Sequence, residues 1–180
     1  MTYAEYVEKE RDASSKHEYL HGHAYAMAGG TPQHGALAAA VIRELGTALL
    51  GRPCRVYSSD VRVRVTATGL STYPDASVVC GHLETAPDDP DAITNPVVLC
   101  EVLSPSTASY DRGAKAAHYR RLPSLREYVL VAQDEERIEL HRLRDGRWEI
   151  EDARPGERLR LESIDAELDV AAVYADPLAG

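Results

Sequence analysis

The spacing of apolar residues predicts a long amphipathic helix in the second quarter of the chain. Leu37, Val41, Leu45 and Leu49 recur at helical intervals and form one apolar stripe. Thr31 is a suitable N-cap residue, and Pro32 suits the first helical position. The pattern ends at Gly51-Arg52-Pro53, so we predict a helix over about residues 32–50 that packs against a sheet. A capping box, Thr2 with Glu5, predicts a shorter helix before it.

Alternating and continuous apolar runs predict strands in the middle of the chain. Valine and arginine alternate in RVYSSDVRVRV, residues 55–65, which is typical of a strand with one buried and one wet face. TYPDASVVC and NPVVLCEVL predict a second and a third strand, separated by a proline- and aspartate-rich loop that we expect to be exposed. REYVLVAQ predicts a fourth, followed by a more polar hairpin that turns at Asp145-Gly146.

The order of these elements predicts an α/β (α+β) fold. A second helix, over residues 110–122, lies between two strongly apolar strands, so we expect it to connect neighbouring parallel strands of a mixed sheet. With 44% apolar residues and no linker composition, the 180 residues are expected to form one domain, 1–180.

Glu101 is the residue that this pattern does not explain. It lies near the end of the apolar third strand, between Cys100 and Val102. A carboxylate buried there costs several kcal/mol or more unless it is paired, protonated or bound to a metal. Residues 71–110 contain six acidic residues and no lysine or arginine, so its partner must come from elsewhere in the chain.

Asp75 is a candidate partner in a metal site. It opens the second strand, and Glu101 nearly ends the third, so the two acids meet if these strands are adjacent and antiparallel. Side-chain alternation permits both to lie on the same face of the sheet. Two carboxylates that close repel each other unless a cation neutralises them, and Mg²⁺ is commonly held by one or two carboxylates with water.

Lys115 is a candidate catalytic lysine. It lies four residues after Asp111 on a helix that must fold back over the strand carrying Glu101. A lysine there can orient an attacking water or stabilise negative charge on a phosphate. The alternative is a solvated helix residue stabilised by Asp111.

Charge and cysteine content narrow the class of protein. The net charge of −9 argues against strong nucleic-acid binding by the chain as a whole. Two groups of arginines nevertheless frame the acids and are expected to contact phosphates: Arg52, Arg55, Arg62 and Arg64, and Arg112, Arg120, Arg121 and Arg126. No membrane span or secretory signal is seen, so we expect a cytoplasmic protein. Cys54, Cys80 and Cys100 are expected to be buried free thiols.

Several stretches resemble the Uma-type family of restriction endonucleases within the PD-(D/E)XK nuclease superfamily. They lie between residue 16 and about residue 145, and the most specific runs from EVLSPST to YDRGAKAAHYRR. The resemblance implies a restriction-endonuclease-like αβββαβ core, a mixed central sheet flanked by helices, and a C-terminal β-hairpin extension. It also implies a DNA endonuclease whose matching acids, Asp75 and Glu101, hold Mg²⁺ or Mn²⁺.

The chain departs from the superfamily at the lysine. The usual E-x-K motif places it two residues after the glutamate, where this sequence has Leu103. The resemblance implies that its role has moved to Lys115, and that Glu18 matches an upstream acid of the site. Glu18 has an alternative as a structural partner of Lys16 or an arginine.

Further interpretations stay open from the sequence. A non-catalytic binding or scaffold protein with a decayed site would explain Leu103 and the acidic balance, and a hydrolase of smaller phosphate esters would use the same residues. His34 is interpreted as a packing or surface residue, with a ligand role as the alternative. Tyr110 and Tyr119 are interpreted as core or rim aromatics, and Asp60 is left unassigned. The alternating strands after residue 133 offer an edge for a homodimer.

Overall fold

Helical segments are few in this protein, whose computed structural model describes residues 1–179. The helices are α1 (Tyr3–Arg11), α2 (Pro32–Ala48), α3 (Ala108–Tyr110), α4 (Ala116–Tyr119) and α5 (Val170–Tyr174). A π-helical turn, Asp111–Lys115, joins α3 to α4, so residues 108–119 are helical without a break and are called the site helix. Within residues 1–179, none of these helices has the length and apolarity needed to cross a membrane.

The strands form two six-stranded sheets and a separate hairpin. The central sheet contains β3 (Cys54–Ser58), β6 (Ala76–Cys80), β9 (Val98–Leu103), β10 (Glu127–Ala132), β11 (Ile138–Arg144) and β12 (Arg147–Ala153). The second sheet contains β1 (His17–Leu20), β2 (His23–Ala26), β4 (Arg62–Val65), β5 (Leu70–Thr72), β7 (Thr85–Ala86) and β8 (Asp89–Ile93). The separate hairpin pairs β13 (Arg158–Leu161) with β14 (Ala166–Asp169).

The central sheet has the topology predicted from the sequence. Along the chain, α2, β3, β6, β9, the site helix and β10 give the order αβββαβ. β6 pairs with β9 antiparallel, and β9 pairs with β10 parallel, so the site helix is the crossover between parallel neighbours. The polar hairpin β11–β12 extends the same sheet at its edge, as expected.

The two faces of β9 belong to different cores. Val98, Cys100 and Val102 pack in the cluster that contains the apolar stripe of α2. Leu99 and Leu103 pack on the other face, with residues of the site helix and the second sheet. Because side chains alternate along a strand, Glu101 lies on the face of Leu99 and Leu103, where the site helix crosses.

The second sheet was not predicted as a sheet, because four of its strands, β4, β5, β7 and β8, are hidden in longer runs and a loop. The run 55–65 is not one strand: a turn after Ser58 sends β3 into the central sheet and β4 into the second. The run 72–80 is likewise not one strand, because Thr72 ends β5 and β6 begins at Ala76. The loop expected to be exposed contains β7 and β8, and Asp89 is fully buried.

The prediction that one face of β4 is exposed to solvent is wrong, because both arginines of this strand are buried. The guanidinium of Arg62 binds Asp89 through two nitrogens, at 3.0 Å and 2.8 Å. The guanidinium of Arg64 lies over the ring of Tyr3, 3.6 Å from its centroid. A charge paired or stacked in this way can occupy a buried strand position, which alternation alone cannot reveal.

Two of the three cysteines are not free thiols. Cys54 and Cys80 are bonded as a disulfide, and only Cys100, among the described residues, is a buried free thiol as predicted. The two bonded residues are directly opposite each other in the antiparallel pair of β3 and β6. The two cysteines are 26 residues apart in the sequence, so the disulfide could be predicted only if the pairing of β3 with β6 were known.

The N-cap residue of α2 is Thr31, and its contribution to stability can be measured. Thr31 accepts a hydrogen bond from the backbone N–H of His34 at 3.1 Å. Replacement of Thr31 by alanine is expected to lower the free energy of unfolding by about 1 kcal/mol, because that N–H loses its partner. Thr47→Ala, at an exposed position of the same helix, is the matched control and should be nearly neutral in urea denaturation. Equal effects of the two changes would contradict a capping role.

Candidate functional site

Asp75 and Glu101 lie close together where β6 pairs with β9. The register of β6 and β9 pairs Ala76 with Cys100 and Ser77 with Leu99, and Asp75 comes one residue before β6, at the level of Glu101. Asp75 is fixed there because its Oδ2 accepts a hydrogen bond from the Val102 N–H at 2.7 Å.

Lys115 reaches the same point from the site helix. Its Nζ lies 2.8 Å from Oε1 of Glu101 and 3.3 Å from Oε1 of Glu18. The side chains of Lys115 and Glu101 are each only 5% exposed. The structure therefore brings a lysine to the glutamate from the helix, while Leu103 occupies the position two residues after it and is buried in the core.

Glu18 joins the cluster from the second sheet. It lies on β1, accepts a short hydrogen bond from the Thr72 hydroxyl, and accepts another from the Tyr110 hydroxyl at 3.3 Å. Lys16, its alternative partner from the sequence, instead binds Asp60 at 2.7 Å. Asp60 itself is largely exposed and lies in that surface pair.

Asp111 is a fourth carboxylate of the site, and sequence reasoning did not assign it there. Its Oδ1 lies 3.6 Å from Nζ of Lys115, and its side chain is buried. Both residues belong to the π-helical turn, which is a local widening often found at functional sites. The signal in the sequence is the spacing of four residues between Asp111 and Lys115, but that spacing alone predicts only an ion pair on the helix surface.

Burial and the neighbouring charges shift the pKa values of the ionisable groups in this cluster. Burial raises the pKa of Glu101 to about 8, and nearby Asp75 and Asp111 act in the same direction, whereas Lys115 opposes the shift. Burial also raises the pKa of Asp111, again opposed by Lys115. Burial alone would lower the pKa of Lys115, but Glu101, Glu18 and Asp111 outweigh it and raise that pKa, so the amine is an ammonium.

Tyr119 fixes the orientation of Glu101. Its hydroxyl donates to Oε1 of Glu101 at 2.7 Å, and the tyrosine is fully buried. Tyr119 packs edge-on against Tyr128 of β10. The sequence had assigned Tyr119 to the core or the rim; it is in the core and also contacts the candidate site.

His34 contacts the site, although the sequence gave no reason to place it there. Its Nε2 lies 3.3 Å from Oδ2 of Asp75, and its side chain is 21% exposed. The hydrogen bond with Asp75 raises the pKa of the imidazole, opposed by burial, and a backbone contact with Val102 acts with Asp75. Only the packing of the first turn of α2 over the end of β9 brings these groups together.

The donor set fits an oxygen-preferring divalent cation. Asp75, Glu101, Glu18 and Asp111 supply four carboxylates, against which Lys115 supplies one permanent positive charge. Within residues 1–179, no three or more His, Cys, Asp or Glu side chains already converge as a ligand cluster. The fit therefore rests on the excess of partly buried negative charge and on the adjacent pair Asp75 and Glu101, with water completing the shell.

The predicted arginine frame is only partly available. Arg62 and Arg64 are buried in the second sheet and cannot contact a phosphate without unfolding it. Arg120 stacks over the ring of Trp148. Arg52 binds the backbone carbonyls of Ile164 and Asp165, and Arg112 pairs with Glu139. Arg55, Arg121 and Arg126 are exposed.

Comparisons with known proteins find relatives that match most of the chain. The uncharacterized protein slr1290 of Synechocystis is 36% identical over 171 residues, which cover 94% of this chain and 89% of that protein. A second Synechocystis protein, the uncharacterized sll1609, is 32% identical over 149 residues, covering 82% and 84% of the two chains.

A solved structure shares the fold. The crystal structure of a "putative nuclease belonging to DUF820" from Anabaena variabilis matches with a TM-score of 0.73 at 16% identity, covering 93% of this chain and 96% of that one. The model of the Uma2 family, described as "Putative restriction endonuclease", matches residues 3–172. The resemblance seen in the sequence is confirmed, and the chain belongs to the Uma2 family.

Proposed function

We propose that this protein is a divalent-metal-dependent nuclease that hydrolyses phosphodiester bonds of DNA. The observation that carries the proposal is the arrangement of Asp75 close to Glu101, with the ammonium of Lys115 at 2.8 Å from Glu101. Membership of the Uma2 family supports a nuclease-like function. The whole chain, residues 1–180, is proposed to act as one nuclease-like domain.

The roles of the residues follow from their positions. Asp75 and Glu101 would hold Mg²⁺ or Mn²⁺, which when bound supplies Lewis-acid activation of the phosphate and of water. Lys115 directs its ammonium at the developing negative charge on the phosphate and orients the attacking water. Glu18 lies 3.3 Å from the ammonium and holds it in position.

Solvent exposure indicates the side from which a substrate approaches. Glu101 and Lys115 are 5% exposed, whereas Asp75 is 16% exposed and His34 is 21% exposed. A phosphate would therefore enter past Asp75 and reach Lys115 from there. Exposed arginines of the predicted frame, such as Arg55, remain available for phosphate contacts, and the net charge of −9 implies weak or transient DNA binding.

Assembly and location form part of the same proposal. We propose a cytoplasmic homodimer, in which two copies bring their exposed arginines together on one DNA. β12 is the edge strand expected from the sequence. Its exposed residues include Glu149, Glu151 and Asp152, so this edge would need those charges to be screened before two copies pair through it.

Cleavage of plasmid DNA with Mn²⁺ tests the proposed function. Asp75→Asn is expected to reduce nicking at least a hundredfold (about 2.7 kcal/mol in the barrier), because it removes a charged ligand and leaves the fold intact. Asp60→Asn is the matched control, since Asp60 is 83% exposed and lies in a surface pair. Unchanged nicking by the Asp75 variant would overturn the assignment of the site.

A non-catalytic scaffold that retains the nuclease fold is the second candidate. It is favoured by the ion pair through which Lys115 already neutralises Glu101, and by the lack of a preformed ligand cluster within residues 1–179. Calorimetric titration with Mn²⁺ separates the two functions. A decayed site predicts no heat of binding that depends on Glu101, whereas a nuclease predicts such binding.

A further inference from the structure

His34 and Asp75 are spaced as two ligands of one metal ion. Nε2 of His34 lies 3.3 Å from Oδ2 of Asp75. Two ligand atoms that each lie about 2.1 Å from a common cation are about 3.0–3.4 Å apart in octahedral or tetrahedral geometry. The imidazole also stands on the more exposed side of the site, since the side chain of His34 is 21% exposed and that of Asp75 is 16% exposed.

The position of the imidazole is built into the fold. Thr31 caps the first turn of α2 through the N–H of His34. On the other side, the ring lies against Gly30, where an added Cβ would come within 2.8 Å of Nδ1 of His34. An added Cβ at the preceding Gly29 would meet nothing within 4 Å. The lack of a side chain at Gly30 therefore leaves space for the imidazole of His34, whereas Gly29 does not contribute to this space.

We propose that His34 is a metal ligand of the candidate site, and that it gives the site a preference for a first-row transition ion over Mg²⁺. The inference rests on the proposed metal site of Asp75 and Glu101 and adds a nitrogen ligand to it. Imidazole is a favourable ligand for ions such as Co²⁺, Ni²⁺ and Zn²⁺, whereas Mg²⁺ is held by oxygen ligands and water. The pair of His34 and Asp75 thus resembles the mixed nitrogen–oxygen ligands of transition ions more than the ligands of a magnesium site.

Titration calorimetry with Co²⁺ and with Mg²⁺, on the full chain, tests the inference without measuring activity. His34→Asn is expected to weaken Co²⁺ binding at least tenfold and to change Mg²⁺ binding less than threefold. The visible absorption of bound Co²⁺ should change with it, because a nitrogen ligand is replaced. Asp75→Asn is expected to weaken the binding of both ions.

Two glycine variants provide a test that keeps the imidazole in the chain. Gly30→Ala should displace the ring and reduce Co²⁺ affinity severalfold, whereas Gly29→Ala should leave both affinities unchanged. If His34→Asn weakens both ions equally, or neither, the inference is wrong while the metal site stands. If neither ion binds in a way that depends on Asp75, the proposed metal-dependent function is wrong, and the inference with it.

Discussion

Replacement of Lys115 by methionine is expected to lower the free energy of unfolding by about 3–5 kcal/mol at pH 8, because it leaves buried carboxylates without their cation. Nζ of Lys115 contacts Glu101 at 2.8 Å, Glu18 at 3.3 Å and Asp111 at 3.6 Å. Methionine fills a similar volume, so the change removes the charge and little of the packing.

The loss should depend on pH in a defined direction. Lys115 is the main group that opposes the raised pKa values of Glu101 and Asp111. Without it these pKa values rise further, so the folded state holds protons that the unfolded state has released. Stability then falls as the pH rises from the unfolded pKa of about 4.5 through the raised values, and the deficit of the variant should shrink on acidification towards pH 5.

Urea denaturation at pH 5, 7 and 8 measures this effect. Lys9→Met is the matched control, because Lys9 lies exposed on α1 and should change stability by less than about 0.5 kcal/mol at each pH. A variant at Lys115 that is as stable as this control at pH 8 would contradict the ion cluster. Added Mn²⁺ should restore part of the lost stability, since it would replace the missing positive charge.

The topology was predictable because the elements of the central sheet carry strong local signals. The continuous apolar runs that became β9 and β10 flank a helix ended by Pro123, which leaves a parallel crossover as the simple solution. Asp75 and Glu101 could be placed together for the same reason, since a strand start and a strand end meet in an antiparallel pair. Lys115 followed from the direction of the crossover.

The remaining features depend on contacts that the sequence does not encode locally. Alternation predicts a solvent-exposed position for Arg62, because its partner, Asp89, lies in a segment whose composition predicts an exposed loop. The bond between Cys54 and Cys80 required the pairing of β3 with β6. His34 required the first turn of α2 to reach the end of β9, which follows from helix–sheet packing and not from any motif.

The replacement of Glu101 by glutamine is expected to abolish cleavage, by at least a thousandfold, while it makes the metal-free protein more stable. The loss of activity (about 4 kcal/mol in the barrier) follows from removal of a charged metal ligand and of the counter-charge that positions Lys115. The gain in stability follows from burial, because Glu101 is a buried carboxylate surrounded by Asp75 and Asp111.

The gain should grow with pH. The folded-state pKa of Glu101 is raised to about 8, from an ordinary value of 4.5. Wild-type stability therefore falls as the pH rises from about 4.5 to about 8, because the folded state binds a proton that the unfolded state does not. Glutamine keeps an oxygen that accepts from Tyr119 and has no charge to titrate, so the variant is expected to be about 1–3 kcal/mol more stable at pH 8, part of the gain being offset by the buried amide.

A divalent cation should make the wild type more stable than the Glu101 variant. This reversal would show that Glu101 lowers stability in the metal-free protein and binds the cation. At a hundredfold excess over its dissociation constant, Mn²⁺ would stabilise the wild type by about 2.7 kcal/mol and the variant much less. Thermal denaturation at pH 5 and pH 8, with Mn²⁺ or with EDTA, measures the stability of each protein under all four conditions. Asp75→Asn serves as a comparison in which a ligand is lost from the more exposed side of the site. If the Glu101 variant were less stable than the wild type in EDTA at pH 8, Glu101 would be a structural partner of Lys115, and the excess negative charge would not be held for a metal.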